Sequence, residues 1–264
     1  MIRLLTANLT RIKKSKLFWS LCGIVALFAF IMIIYMIADS IKIIDNAITL
    51  FVIPIEIAAA IFISIFFGTE YSDGAIRNKL VVGHRRHIIY LANFITSVIC
   101  SGVFVLSYML PVVLLGFSCV GLPSTGAIKI LAVGLVTLIA FGALFTMVSM
   151  IYANKAGATV INLVLAFMLL IVGYVLCSYL MQPELIPVHG IGNELEYIAN
   201  PRYLSGAKRT FVQMLNDLLP AGQAVRFIYM GDAEPLWSLP LYSIGVGVAF
   251  TTIGAVVFDK KDIK

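Results

Sequence analysis

Long apolar runs separated by short polar clusters set the pattern of this chain. Crossing the hydrocarbon of a bilayer takes about 20 apolar residues in helix. Six runs meet that requirement, at about residues 17–38, 48–68, 90–117, 128–152, 157–181 and 236–258. Lys129 sits at the outer end of the fourth, and Glu56 is the one charge well inside a run. The third and fourth runs are divided by Ser118–Gly126 (SCVGLPSTG), a turn-rich stretch. The pattern predicts an all-α polytopic membrane protein, with residues 1–264 forming a single transmembrane domain of six helices. The first run is too long for the 7–15-residue core of a signal peptide. It also follows sixteen residues that themselves look folded, so no cleaved leader is expected.

Three polar segments remain. Residues 1–16 place Ile2, Leu5, Leu9 and Ile12 at helical spacing among basic residues, which predicts an amphipathic interfacial helix. The alternative is an ordinary basic flank with no further duty. Residues 69–89 form an inner loop. Within it, Ser72 or Asp73 is expected to cap a helix that carries Lys79 in its last turn and ends at Gly83. Ile76 and Leu80, four apart, form an apolar ridge offered to the cytoplasm. Residues 182–235 form an outer segment of two or three short helices, too small for a domain with its own core. One helix runs over Ser205–Leu219, with Phe211, Leu215 and Leu218 on a common face. Pro220 and Gly222 are expected to break it, and another begins over Ala224–Met230.

Composition agrees with a lipid environment. Hydrophobic residues are 61% of the chain, charged residues 12%, and the mean hydropathy is +1.02. A soluble chain carries about 25% charged residues, so a soluble enzyme, a disordered chain and a disulfide-stapled domain are excluded. Charge then orients the bundle, because lysine and arginine concentrate on the cytoplasmic side. With the N-terminus inside, the inner segments hold Arg3, Arg11, Lys13, Lys14, Lys16, Arg77, Lys79, Arg85, Arg86, Lys155, Lys260, Lys261 and Lys264, thirteen in all. The outer segments hold six: Lys42, Lys129, Arg202, Lys208, Arg209 and Arg226. Both termini are therefore expected in the cytoplasm of a bacterial cell, with the protein in the plasma membrane. The pI near 9.1 is a signature of topology, and no nucleic-acid partner follows from it. Cys22, Cys100, Cys119 and Cys177 lie in or beside the spans and make no disulfide framework, although a Cys119–Cys177 bridge is conceivable near the outer face.

Catalytic signatures are missing. The chain has no phosphate-binding G-x-x-x-x-G-K-[ST], no H-E-x-x-H and no G-x-S-x-G. His84 and His87 flank Arg85 and Arg86, whose guanidiniums repel a divalent cation, and His189 stands alone. No enzymatic activity, metal or cofactor is expected of this chain. Glu56 is the exception to an otherwise inert interior, because a charge in mid-membrane is costly and marks function by default. Ala60, Ser64 and Gly68 follow it at intervals of four, a small-residue ridge that lets another helix approach. Two readings of Glu56 stand: a contact for cationic substrate in a central pathway, or a carboxylic acid that fixes helix pairing. A second ridge, Ser243–Gly247–Thr251–Ala255, is read as helix packing. Pro54 and Pro111 lie inside runs, where neighbours can satisfy the carbonyls freed at a kink.

Six spans, an amphipathic N-terminal helix and a long outer segment before the last helix resemble the permease subunits of bacterial ATP-binding-cassette (ABC) exporters of the type-2 membrane-domain family. The inner loop carries the most specific likeness. Glu70-Tyr71-Ser72-Asp73-Gly74-Ala75-Ile76-Arg77-Asn78-Lys79-Leu80, then Gly83-His84-Arg85-Arg86 and Ile89-Tyr90-Leu91, is similar to the acidic–glycine–basic segment between the second and third spans of such permeases. In that family the segment is a coupling helix that docks on the ATPase. The resemblance thus implies docking by Ile76, Arg77, Lys79 and Leu80, with Glu70 positioning the loop and Asp73, Arg85 and Arg86 beside them. Asn93 stands where many members have lysine, so no role of that lysine carries over. Leu219-Pro220-Ala221-Gly222-Gln223-Ala224 and Phe258-Asp259-Lys260-Lys261-Asp262-Ile263-Lys264 are similar to members linked to resistance or self-immunity against bacitracin- and lantibiotic-type peptide antibiotics. The implied partners are separate ABC ATPase subunits that bind ATP-Mg, and a second permease in a homodimer or heterodimer. The rival expectation is a non-transporting membrane scaffold or sensor. A secondary transporter is a third, with little intramembrane charge for ion coupling.

Overall fold

The structure is a computed structural model and describes residues 1–41, 43–189, 195–229 and 237–262. The expected outer charges Lys42, Glu194, Asp232 and Glu234, the start of the last run at Leu236, Met230, and the terminal Ile263 and Lys264 lie outside the described residues, as do the side chains of His189 and Glu196.

Helix α1 (Ile2–Lys14) turns at Ser15 into α2 (Lys16–Ala38). Ser15 sits in extended backbone and its hydroxyl accepts from the Phe18 amide at 3.2 Å, a helix start of the kind the sequence encodes with serine. Next come α3 (Asp45–Thr49), α4 (Val52–Ser72), α5 (Ala75–Val81) and α6 (Arg86–Pro111). A π-helical turn at Val112–Gly116 leads into the short α7 (Phe117–Cys119). Ser124 and Asn154 cap α8 (Thr125–Ile151) and α9 (Lys155–Leu180) through their side chains. Strands β1 (Leu185–His189) and β2 (Leu195–Ala199), helices α10 (Gly206–Leu218) and α11 (Pro220–Tyr229), and finally α12 (Leu239–Lys260) complete the chain.

Among the described residues six helical segments are long and apolar enough to cross a membrane: Lys16–Ala38, Asp45–Ser72, Arg86–Cys119, Thr125–Ile151, Lys155–Leu180 and Leu239–Lys260. This is the architecture of a multi-pass helical membrane protein. Helix α8 lies at its centre, packed by α4, α6, α9, α11 and α12. The peripheral helices turn apolar side chains outward, such as Ile24 and Ile31 of α2, Val164 and Ile171 of α9, and Val248 of α12. In water such a surface would be a liability; against lipid it is solvated. One end of the bundle carries α1, α5 and the end of α12 and is called the terminal face below. The other carries β1, β2, α10 and α11, the hairpin face.

The structure departs from the expected pattern in several places. The fold is not purely helical: β1 and β2 pair antiparallel, with Leu185 opposite Ala199 and Pro187 opposite Tyr197. Pro54 does not kink a continuous helix, because it is the third residue of α4, where amide hydrogens have no intrahelical partner anyway. Pro111 is instead followed by the π turn, one of the recognised ways a helix absorbs a disruption. On the hairpin face, Phe211 and Leu218 are exposed and the buried positions of α10 are Asn216 and Asp217. The chain breaks at Pro220 as expected, with Leu219 before it in extended backbone, but the next helix starts at Pro220 itself, and Gly222 lies within it, pressed against the Asn216 carbonyl. All four cysteines are free thiols, with Cys119 exposed and Cys177 buried.

Glycines set two of the closest approaches. A Cβ on Gly68 would stand 2.6 Å from the Lys155 Cα, so α4 and the start of α9 touch backbone to side. A Cβ on Gly254 would collide with the Tyr90 hydroxyl, and Tyr90 is fully buried and has little room to give. Gly254→Val should therefore part α12 from α6 at a cost of about 1–3 kcal/mol, the range for overpacking a filled site. A thermal melt of the purified variant checks this, and an unchanged midpoint would refute the packing assignment.

Candidate functional site

The end of α4 and the helix that follows build the most elaborate polar site. In the last turn of α4 the Ser72 hydroxyl donates to the Gly68 carbonyl at 3.0 Å, and the Asp73 amide donates to Thr69 at 2.9 Å. The expected cap by Ser72 or Asp73 is therefore absent. Gly74, at φ +67°, reverses the chain and heads α5, whose first turn contains no acid. The helix closes as the sequence predicts: Gly83 is left-handed at φ +94°, its amide donates to the Leu80 carbonyl at 2.9 Å, and the His84 amide donates to Lys79 at 3.2 Å. That reciprocal pair is the Schellman arrangement.

The face α5 presents is not the one expected. Ile76 is buried in the core and Leu80 packs against it, because α5 folds back onto the bundle instead of standing away from it. Outward lie Arg77, Asn78 and the apolar pair Val81 and Val82, at 80% and 76% exposure. Asp73 and Arg85 are also exposed, and Arg85 occupies the start of α6 without a side-chain cap.

Glu70 holds this segment down. Its side chain is completely buried. Oε1 accepts from Lys79 Nζ at 2.7 Å and from Arg11 Nη1 at 2.5 Å, and Oε2 accepts from Asn93 Nδ2 at 3.1 Å. Lys79 also reaches Asn8 Oδ1 at 3.3 Å, while Asn8 Nδ2 donates to Asn93 at 2.9 Å and to Thr96 at 3.0 Å. Arg11 lies over the Phe66 ring, 4.6 Å from its centroid. One carboxylate thus joins α1, α4, α5 and α6. Three donors satisfy it, as a buried anion requires.

A second knot ties the C-terminal end to the same face. Arg86 Nη1 donates to the carbonyls of Phe258, Asp259 (3.0 Å) and Lys261. Lys261 Nζ donates to the Ile151 carbonyl at 2.8 Å and to Met150 at 3.2 Å, and it lies 4.2 Å from the Tyr71 ring centroid. Burial pushes the Lys261 ammonium below the ordinary lysine pKa. The Tyr71 hydroxyl donates to the Met150 carbonyl as well. Sequence reading singled out Glu70, Lys79 and Arg86 but missed Asn8, Arg11, Asn93, Thr96, Tyr71 and Lys261. One sign was available: Asn8 lies between Leu4 and Ile12 at intervals of four, a polar residue in the buried stripe of α1.

Glu56 lies elsewhere, toward the hairpin end of α4. It is fully buried, and neither carboxylate oxygen has a hydrogen-bond partner among the described residues. The ridge below it packs against α9: Ala60, Ser64 and Gly68 are all buried. Ser64 accepts from Asn162 Nδ2 at 2.7 Å, which also donates to Ser149 at 3.0 Å and to the Phe145 carbonyl at 3.2 Å. In α12, Gly247 approaches Ala140 of α8, where a Cβ would lie 3.8 Å from its Cα. The hairpin face has its own buried cluster. Arg226 Nη1 and Asp217 Oδ1 are 2.6 Å apart, and Gln223 Oε1 accepts from Thr137 and Ser243, each at 2.8 Å.

No protein-family model matches this sequence, and no curated protein matches it closely enough to count as a relative.

Proposed function

We propose that this chain is the permease subunit of an ATP-driven exporter of the ABC class. It works as half of a dimer with itself or a related permease, and separate ATPase subunits bind and hydrolyse ATP-Mg. One observation carries the reading: α5 is a short helix locked to the bundle by a buried carboxylate, and it offers Val81, Val82, Arg77 and Asn78 outward. A lever must be stiff where it joins the load and bare where it meets the motor. Glu70 supplies the stiff joint, since a force on α5 passes through Lys79 into α4, α1 and α6. Such a force can tilt helices between two packed arrangements.

The excess of lysine and arginine on the terminal side supports a cytoplasmic terminal face, where an ATPase would reside. The resemblance favours a peptide antibiotic or another amphipathic molecule as cargo, exported for resistance or self-immunity. Glu56 is then the contact for a cationic group, since its buried carboxylate has no hydrogen-bond partner among the described residues.

Co-expression with a candidate ATPase and affinity capture in mild detergent test the reading. Val81→Asp with Val82→Asp should abolish ATPase capture while leaving the melting midpoint within a degree or two, because both residues face solvent. Ile76→Asp should instead destabilise the permease itself. Full capture by the Val81/Val82 variant would refute the docking surface, and failure of every ATPase to bind would favour the scaffold reading. Glu56→Gln should reduce export without affecting assembly; wild-type export would remove Glu56 from the pathway.

A further inference from the structure

Part of helix α1 is taken up by the bundle. Leu4, Asn8 and Ile12 are buried, with Asn8 bonded to α6 residues Asn93 and Thr96, so the bundle itself holds the helix. Where α1 turns into α2, an open groove of about 350 Å³ remains, bounded by Leu9 and Thr10 of α1, Phe18 and Trp19 of α2, and Ile99 and Val103 of α6. Its lining is mostly apolar. Phe18 forms one wall, its ring packed at a tilt against those of Phe62 and Phe104. Trp19 is 55% exposed, and its indole donates to the Lys13 carbonyl at 3.0 Å, fixing the elbow and holding Lys13 at the groove's mouth.

The groove's depth and charge say what fills it. It opens beside the first turn of the span Lys16–Ala38, the level of the boundary between headgroups and acyl chains, where tryptophan commonly anchors. Lys13 lines the groove and Lys14 and Lys16 follow it at the elbow, all three exposed, and among the described residues no carboxylate lies within ion-pair distance of them. An apolar slot with an uncompensated basic rim matches a molecule that has an apolar tail and an anionic head. We infer that the groove is a specific site for one anionic phospholipid, with an acyl chain between α1, α2 and α6 and its phosphate at Lys13, Lys14 and Lys16. A free phosphate would leave the apolar walls unused, and a zwitterionic lipid would gain less from three lysines. The site stands independently of the exporter reading.

Native mass spectrometry of the full chain from mixed micelles tests this, with equimolar phosphatidylglycerol and phosphatidylcholine as the probe. The wild type should retain one phosphatidylglycerol with a preference on the order of tenfold. Lys13→Gln, Lys14→Gln and Lys16→Gln together should erase the preference. Ile99→Trp should fill the slot and release the lipid with no change of charge. Thr10→Phe, at an exposed position on the other wall, serves if the tryptophan variant does not fold. Equal retention of the two lipids by the wild type would overturn the site. So would filled-groove variants that keep the lipid, a triple glutamine variant that keeps the preference, or displacement of the lipid by millimolar inorganic phosphate.

Discussion

Glu70→Ala should lower the stability of the purified protein by about 3 kcal/mol, because it leaves Lys79 and Arg11 facing each other with no anion between them. Removing one member of a buried pair typically costs 3–5 kcal/mol. The low end applies here, since the Arg11 side chain is 35% exposed and can rehydrate, while that of Lys79 is 14% exposed and has less chance to. Glu70→Gln keeps the shape but loses charge-assisted bonds, each worth about 1.5–3 kcal/mol, and should fall between alanine and wild type. A melt followed by tryptophan fluorescence reads the loss as a drop of roughly 6–12 °C for a chain of this size. The alanine variant should also lose ATPase capture even with Val81 and Val82 intact, because the joint beneath α5 is gone. A midpoint that does not move would mean that Glu70 is neither buried nor the hub of the terminal face.

Asp217→Asn should cost about as much at the opposite end, on the order of 3–5 kcal/mol. Asp217 and Arg226 are 7% and 2% exposed, so the variant withdraws a carboxylate charge 2.6 Å from a buried guanidinium. The same cluster seats α10 on α11, with Gln223 Nε2 donating to the Asp217 carbonyl at 2.6 Å. Added protease should accordingly cut the variant between residues 205 and 219 faster than wild type. High salt on the wild type should not reproduce the effect, because buried pairs are poorly screened. Resistance equal to wild type would show that α10 is seated by its apolar contacts alone.

These two clusters mark where a one-dimensional reading stops. Six spans are visible in the sequence because lipid imposes about 20 apolar residues per crossing whatever their neighbours are. The helix stop at Gly83 is equally local and legible, whereas the caps at Ser15, Ser124 and Asn154 escaped notice and the helix expected to start at Ser72 or Asp73 is headed by Gly74. The ridge from Ala60 to Gly68 is visible as a spacing, and the structure sets it against α9. The antiparallel strands β1 and β2 escaped notice: they are five residues each, and Pro187 argues against a strand. In the register with Glu184 bonded to Asn200, Pro187 falls at an outward-facing position, where a missing amide costs nothing.

What the sequence determined by itself is therefore the number and approximate extent of the membrane helices, together with the asymmetry of charge between their ends, since bilayer thickness acts on each segment separately. Which side of α5 faces outward was decided only in three dimensions. The pull of Glu70 on Lys79, 9 positions along, and on Arg11, 59 positions back, turns Ile76 inward and leaves Val81 and Val82 bare. Helical periodicity places residues on a common face, but which face becomes buried depends on partners that only folding brings within reach.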